Sequence, residues 1–517
     1  MRAGADGRGR PPRIVMVDER NDMGKRTKAW LAGWCMALAA AAAGAEDGVL
    51  TLRGRIDAGA HQSYVEVPFE VPPGTGRITV EFDYTGREER TTIDLGLIDP
   101  AGLRGWSGGN KRLFTVAADD ATPSYRGGPL PPGQWKLLLG VPNIRAGQAS
   151  DYTARIHLAP AAAPEALPDA LRANLADRPG WYRGDLHLHS GHSDASCDSQ
   201  SGARVPCPLF LTLQAAAERG LDFVAITEHN TLSHLQDLRA LQPYFDRLLL
   251  VPGMEITTFQ GHANVFGIQG ALDFRVGGTT DWNRLLQETQ RRALPVSVNH
   301  PMLPSDERCM GCGWQPREGT DWSRVAAVEA VNGADAGTPV SGIPFWQARL
   351  DEGHRLTAIG GSDNHDATLR TKQFGKSRIG SPTTVVFARS LSQAALLDGI
   401  RSGRVYIDVE GSGAQMEMTA THGGQSVPMG IGLAVPVGGE VGLELRADGV
   451  PEARVEWIVD GRIEQAADLP AQGRAAWTWR SDGSRHWLRA DVRAPDGRLL
   501  LVGNPVYVNF PAPADAR

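Results

Sequence analysis

Histidine and carboxylate residues crowd one stretch of this chain: nine of its 13 histidines fall between His187 and His365. Imidazole nitrogens and carboxylate oxygens are the donors that divalent transition metals take, and such ions activate water for hydrolysis. In Gly184-Asp185-Leu186-His187-Leu188-His189 the period-two alternation of a strand puts both imidazoles on one face, able to grip a single ion. Asp194 follows in the next loop. The apolar run Phe223 to Thr227 delivers Glu228-His229-Asn230 at its end, and Leu249 to Met254 ends in Glu255, a carboxylate placed to bridge two ions. His262, His300 and the pair Asp363 and His365 follow the same logic. Taken singly, each has an ordinary reading: a histidine hydrogen-bonded at a strand end, Asp363 as a helix cap, Glu255 as an ion-pair partner. Their recurrence at one strand end after another points to a shared site.

Strand ends far apart in sequence meet in space in an α/β barrel, where they converge on one mouth. After Trp181 short apolar strands alternate with amphipathic helices, the pattern of a parallel α/β domain. Leu209 to Arg219, Trp282 to Arg292, Phe345 to Glu352 and Gln393 to Arg401 read as helices. The expected fold class is α/β: a barrel over residues 181–411, flanked by two small β-sandwiches. The first covers residues 46–160, with alternating segments such as Arg77-Ile78-Thr79-Val80-Glu81-Phe82, and the second covers 412–517. An Ala-, Pro- and Asp-rich linker, 161–180, precedes the barrel.

A chain of 517 residues exceeds what one core organises, since single cores stop growing near ~250 to 300 residues. Its 41% hydrophobic content suffices for sizeable cores, and a net charge of -6 offers no field for duplex nucleic acid or an anionic membrane. Residues 1–45 read as an upstream extension and a signal peptide starting at Met23: Lys25, Arg26 and Lys28, an apolar run from Ala29 to Ala43, then Ala43-Gly44-Ala45. That run is shorter than the ~20 residues of a spanning helix. The expectation is an exported protein, periplasmic or extracellular, with no integral membrane segment once the signal is removed. Cys35 follows Trp34, whereas a lipid-modified cysteine needs a small residue before it. The remaining cysteines, Cys197, Cys207, Cys309 and Cys312, fit two short-range disulfides in an oxidising compartment, or a structural zinc site.

The motifs, in order, are His-x-His, Ser-Asp, Thr-Glu-His, Gly-x-Glu, His, His-Pro and Ser-Asp-x-His, and by them the chain resembles the polymerase-and-histidinol-phosphatase (PHP) superfamily of metallohydrolases. The resemblance covers about residues 181 to 410. It implies a distorted (β/α)7 barrel holding two or three divalent ions, usually Zn, Mn or Fe. Carried over residue by residue, it implies metal ligands at His187, His189, Asp194, His229, Glu255, His262, His300, Asp363 and His365. Ala195 departs from the Gly that commonly follows the Asp. An exported barrel with β-rich flanks is most similar to the branch that includes carbaryl hydrolases. In such a site the ions lower the pKa of a bridging water and polarise the oxygen under attack. Glu255 would bridge, His229 or His365 could hand a proton to the leaving group, and Glu228 and Asn299 would orient ligating imidazoles.

Other residues carry weaker signals. His192 is a possible substrate contact, His234 reads as a surface residue and His354 as a helix-end residue. Arg370, Lys372, Lys376 and Arg378 follow His365 and could hold a phosphate, or lie on a solvated loop. Trp181, Trp314 and Trp346 could wall a pocket or pack in the core. The leading expectation is hydrolysis of a small-molecule phosphoester, with a carbamate or carboxylic ester hydrolase as the rival and a non-catalytic surface-binding protein as the third reading. An amidohydrolase with a carboxylated lysine is disfavoured, because the segment between Arg247 and Ala358 contains no lysine.

Overall fold

The computed structural model describes residues 49–118, 121–160, 174–307, 309–369 and 377–511. The segment read as a signal peptide, residues 161–173 of the expected linker, Arg370, Lys372 and Lys376 lie outside the described residues. The described chain is mixed α/β and strand-rich, with five α-helices among the described residues.

Two four-stranded antiparallel sheets come first. One runs Val49–Asp57, Ala149–Pro160, Thr75–Tyr84, Leu113–Ala117, and the other Ser63–Val71, Gly133–Asn143, Thr92–Asp99, Gly102–Gly108. Their alternating patterns turn Ile78, Val80 and Phe82 inward against Leu137, Leu139 and Trp135 in one shared core. Each such side chain contributes roughly 1.5–3 kcal/mol on full burial.

The histidine-bearing strands form one continuous sheet in the order Thr357–Gly361, Ala327–Asn332, Val296–Val298, Gly261–Phe266, Leu249–Thr258, Phe223–Ile226, Gly180–Leu188, Thr383–Ala388, Val405–Asp408. The parallel pattern read from the sequence is interrupted. Leu249–Thr258 pairs antiparallel with Gly261–Phe266, because only Phe259 and Gln260 join them, whereas a parallel crossover takes about a dozen residues. Thr383–Ala388 is also antiparallel to both its neighbours. Beyond the sheet's hydrogen-bonded path, the Gly180–Leu188 end meets the chain leaving Thr357–Gly361: Asp363 N donates to His187 O at 2.9 Å and His189 N to Asn364 O at 3.1 Å. Helix starts follow side-chain caps. Asp281 accepts from Arg284 N ahead of Trp282–Arg291, and Ser392 accepts from Ala395 N ahead of Gln393–Arg401.

Hydrogen bonding runs on from Val405–Asp408 into Leu499–Gly503, His486–Arg493, Arg454–Val459 and Arg462–Asp468. A four-stranded sheet built on Gln415–His422 and Glu440–Asp448 packs on this extension through Met418, Leu443, Trp457 and Leu488. The four cysteines pair as disulfides, Cys197 with Cys207 at a Cα separation of 4.9 Å and Cys309 with Cys312 at 5.5 Å. No helix of the described residues is long and apolar enough to cross a membrane.

Candidate metal centre

The strand Gly180–Leu188 carries His187 and leads into His189, and buried Asp185 ties it to the loops around it. Its Oδ1 accepts from His187 N at 3.2 Å and Ser362 N at 3.0 Å, and its Oδ2 from Gly380 N at 2.8 Å. Burial pushes this carboxyl up to about 6. Three non-glycine residues of the segments that carry the clustered histidines and acids, Asn230, His300 and Asp363, have φ of 53°, 25° and 52°. Left-handed backbone there costs of order 1 kcal/mol or more per residue and persists where the surroundings over-determine it.

Glu255 sits at the centre. Its Oε1 lies 3.3 Å from both His262 Nδ1 and His300 Nε2, and its Oε2 lies 2.8 Å from His229 Nδ1, 3.4 Å from His187 Nε2 and 3.6 Å from His189 Nε2. Asp363 Oδ1 lies 3.3 Å from His187 Nε2 and 3.1 Å from His189 Nε2. Asp194 Oδ1 lies 3.3 Å from His365 Nε2 and 3.5 Å from His229 Nε2. The rings of His229 and His365 lie against His189, with centroids 4.4 and 4.1 Å away.

Charge is tightly coupled in this cluster. Burial opposes ionisation of the acids, and the imidazoles overcome it: His187 and His229 hold Glu255, His187 and His189 hold Asp363, and His365 and His229 hold Asp194 below the usual carboxylate range. Burial likewise opposes the imidazolium form, yet Asp363, Glu329 and Glu255 hold His187 well above its ordinary value. Asp194 and Glu255 lift His229 to about 9, and Asp194 and Asp363 lift His365 to about 10. Burial, reinforced by His365 and His229, takes His189 down to about 3.

Hydrogen bonds leave donor atoms over. His189 Nδ1 and His262 Nε2 are buried without a hydrogen-bond partner, a costly state for polar atoms that an ion relieves. The donors fall into four sets, each within 4.8 Å: His189, Asp194, His229 and His365; His187, His189 and Asp363; His187, Glu255 and His300; and His262, His300 and Cys312. All nine ligand positions from the sequence occur in these sets, and His187, His189 and His300 each serve two. The donor types, imidazole nitrogen and carboxylate oxygen, are those that divalent transition ions take. Cys312 sulfur is taken by its disulfide.

Residues around the ligands fall partly elsewhere than the sequence suggests. Glu228 accepts from Ser190 and Ser193 and so holds the Asp194 loop instead of an imidazole, while Asn299 Nδ2 donates to Glu255 Oε1 at 3.0 Å. The carboxylate that holds an imidazole is Glu329, 2.9 Å from His187 Nδ1, which the sequence reading passed over. Its signal was there: a lone acid inside the apolar strand Ala327–Asn332. His234 is fully buried instead of on the surface, because it opens helix Leu235–Leu241 on the inner side. The His192 ring lies 2.8 Å from both Ser233 Oγ and Asp237 Oδ2. Arg378 Nη2 points at Glu410 O, 3.4 Å away. Trp314 and Trp346 are buried in the core, and Trp181 packs on Phe387 and Tyr406.

A cavity of about 280 Å³ opens on Asp194, His229 and His262. Its far wall comes from the sheet of Ser63–Val71, Gly133–Asn143, Thr92–Asp99 and Gly102–Gly108, through Tyr64, Asp94 and Trp106. Burial pushes Asp94 up to about 7, and His229 works against this. No motif signals these residues, because they reach the site only through packing of the sheets.

No protein-family model matches the chain. No curated protein matches it. Among solved structures, a two-domain protein from Bacteroides vulgatus ATCC 8482 containing a predicted PHP-like metal-dependent phosphoesterase is similar at 18% identity and a TM-score of 0.36, over 67% of this chain and 99% of that one. An engineered protein is similar at 14% identity and a TM-score of 0.16, over 56% of this chain and 49% of that one.

Proposed function

We propose that this chain is an exported metal-dependent hydrolase of the PHP superfamily that cleaves a phosphoester at a site for two or three divalent ions, Zn, Mn or Fe. One observation carries the reading: nine carboxylate and imidazole ligands, scattered from His187 to His365, share sets of donor atoms within 4.8 Å, with orphaned nitrogens among them. Bound ions supply Lewis acidity and a water ionised near neutral pH. The chain's own groups do the rest. Glu255 offers one oxygen toward His187 and His229 and the other toward His262 and His300, as a bridging carboxylate would. His229 and His365, at the cavity side, are the groups to pass a proton to the leaving oxygen.

The closure of His187 and His189 on Asp363 and Asn364 supports reading the central sheet as the distorted (β/α)7 barrel, over 181–411, between sandwiches at 46–160 and 412–517. Two disulfides support export to an oxidising compartment. A carbamate or carboxylic ester is the second reading, and the aromatic wall of Tyr64, Trp106 and Phe259 favours it.

Protein purified without chelator is assayed by elemental analysis, then on p-nitrophenyl phosphate, bis-p-nitrophenyl phosphate, 1-naphthyl acetate and a 1-naphthyl carbamate. Two or three transition ions per chain and chelator-sensitive phosphate ester cleavage are expected. Metal-free protein inactive on all four after reconstitution would refute the reading.

A further inference from the structure

We propose that the sheet of Ser63–Val71 and Thr92–Asp99 completes the substrate cavity with a subsite for an organic ammonium group, in which Asp94 is the counter-ion and Tyr64 and Trp106, with Phe259 from the hairpin turn of the central sheet, form the aromatic wall. This rests on the hydrolase reading and specifies its substrate class: an ester that carries a positively charged nitrogen away from the bond to be cleaved.

The wall is firmly docked. Ser124 N donates to Ser233 Oγ at 2.6 Å, Thr231 Oγ1 donates to Ser124 O at 2.6 Å, and Lys111 Nζ reaches Gly191 O at 3.3 Å. Tyr64 stacks on Phe259, with ring centroids 5.3 Å apart, and meets Trp106 edge-on at 6.0 Å. These bonds join the loops at Lys111 and Ser124 to the loops that bear Asp194 and His229, so the subsite and the histidine cluster line one cavity.

Asp94 lines that cavity, and among the described residues no hydrogen bond or ion pair reaches its carboxylate. The cations nearby are committed elsewhere: Lys111 to Ser124 and the carbonyls of Gly191 and Ser193, and Arg275 to Glu66 and Asp273. Two glycines leave the approach to the carboxylate open, since a Cβ on Gly109 would stand 3.5 Å from Asp94 Oδ1 and one on Gly108 3.9 Å away. A carboxylate lodged among aromatic rings without a partner is costly, and the ligand that repays both features is a cation: ion pair to the acid, cation–π contact to the rings. The cavity is then polarised. Its metal-ligand end draws the anionic ester and its Asp94 end the ammonium, which together select a zwitterion over a neutral ester of the same shape.

Choline and its uncharged isostere 3,3-dimethyl-1-butanol separate charge from shape. Calorimetric titration of the full chain is expected to show choline binding about tenfold more tightly than the isostere, and Asp94→Asn, at an unchanged melting temperature, removing the difference. Equal binding of the two by the wild type, which needs no variant, or a preference that survives Asp94→Asn, overturns the subsite. Phosphate release from phosphocholine and from 3,3-dimethylbutyl phosphate, with p-nitrophenyl phosphate alongside, reports on the hydrolase reading separately. Retained choline preference without hydrolysis of any of them supports the subsite and removes only the phosphoester.

Discussion

Oε1 of Glu329 lies 2.9 Å from Nδ1 of His187, with both side chains sealed from solvent. The other oxygen of Glu329 accepts from His300 N at 2.9 Å and from Asn332 Nδ2 at 3.0 Å, so one acid positions both His187 and the segment that carries His300. With Nδ1–H donated to Glu329, His187 presents Nε2 to Glu255 and Asp363. Glu329→Gln keeps the shape and weakens that hold. Metal affinity, measured by competition with a chromophoric chelator, is expected to fall about 10- to 100-fold, with the near-ultraviolet circular dichroism retained. Unchanged affinity would show that Glu329 serves packing alone.

Glu255 is the acid that most imidazoles share, with His187, His189, His229, His262 and His300 all within 3.6 Å of its oxygens. Glu255→Gln removes the charge while keeping the volume. Fewer bound ions per chain and an esterase rate lower by about 10³-fold are expected, which is the scale of several kcal/mol of transition-state stabilisation. A variant that keeps full metal content and near wild-type turnover would rule out a bridging role.

The clustered histidines and acids were legible in the sequence because short apolar runs beside them are a local signal, although Glu255 lies within Leu249–Thr258 and His262 near the start of Gly261–Phe266 instead of at strand ends. His187 lies near the end of a strand that leads into His189, and His229 and Glu255 each follow an apolar run. The alternation of Arg77 to Phe82 likewise predicted a half-buried sheet strand, which Ile78, Val80 and Phe82 make. What stayed hidden depends on distant packing. Glu329 resembles any strand residue until His187 is set against it, and Asp94 resembles any strand acid until Thr92–Asp99 docks beside His229. The antiparallel hairpin at Phe259 and Gln260 was missed because the apolar runs on either side read equally well as successive parallel strands.

Metal binding should tighten as pH rises. His229 and His365 are held protonated up to about 9 and about 10 by Asp194 and its neighbours, so each must release a proton before it can ligate. Affinity is expected to increase about tenfold per pH unit for each proton displaced between pH 6 and 9. In metal-free protein the sign reverses. These imidazoles have raised folded values, so their pairing with Asp194 stabilises the fold fully below their unfolded value of about 6.5 and is lost as pH climbs through 9 to 10. Melting temperatures of chelator-treated protein should therefore fall between pH 7 and pH 10 more steeply than those of loaded protein. Parallel curves, together with an affinity independent of pH, would contradict both signs.

The Cys197–Cys207 disulfide closes a ten-residue separation next to the loop that carries Asp194. Gly191 N donates to Cys207 O at 2.7 Å, Cys207 N to Ala195 O at 2.9 Å, and Ser196 N to His365 O at 2.9 Å, so this hairpin fixes the loop that carries Asp194 and ties it to His365. Replacing both cysteines by serine should cost about 2–3 kcal/mol through the freed unfolded chain. The effect on metal should be selective. The set of His189, Asp194, His229 and His365 loses a well-placed oxygen, while the set of His187, Glu255 and His300 keeps its donors. Titration with a divalent ion is then expected to show one class of site weakened and another unaltered. A uniform loss across all sites would mean that the hairpin supports the whole sheet instead of the Asp194 loop, and no loss at all would mean that the loop is held by Glu228, Ser190 and Ser193 without it.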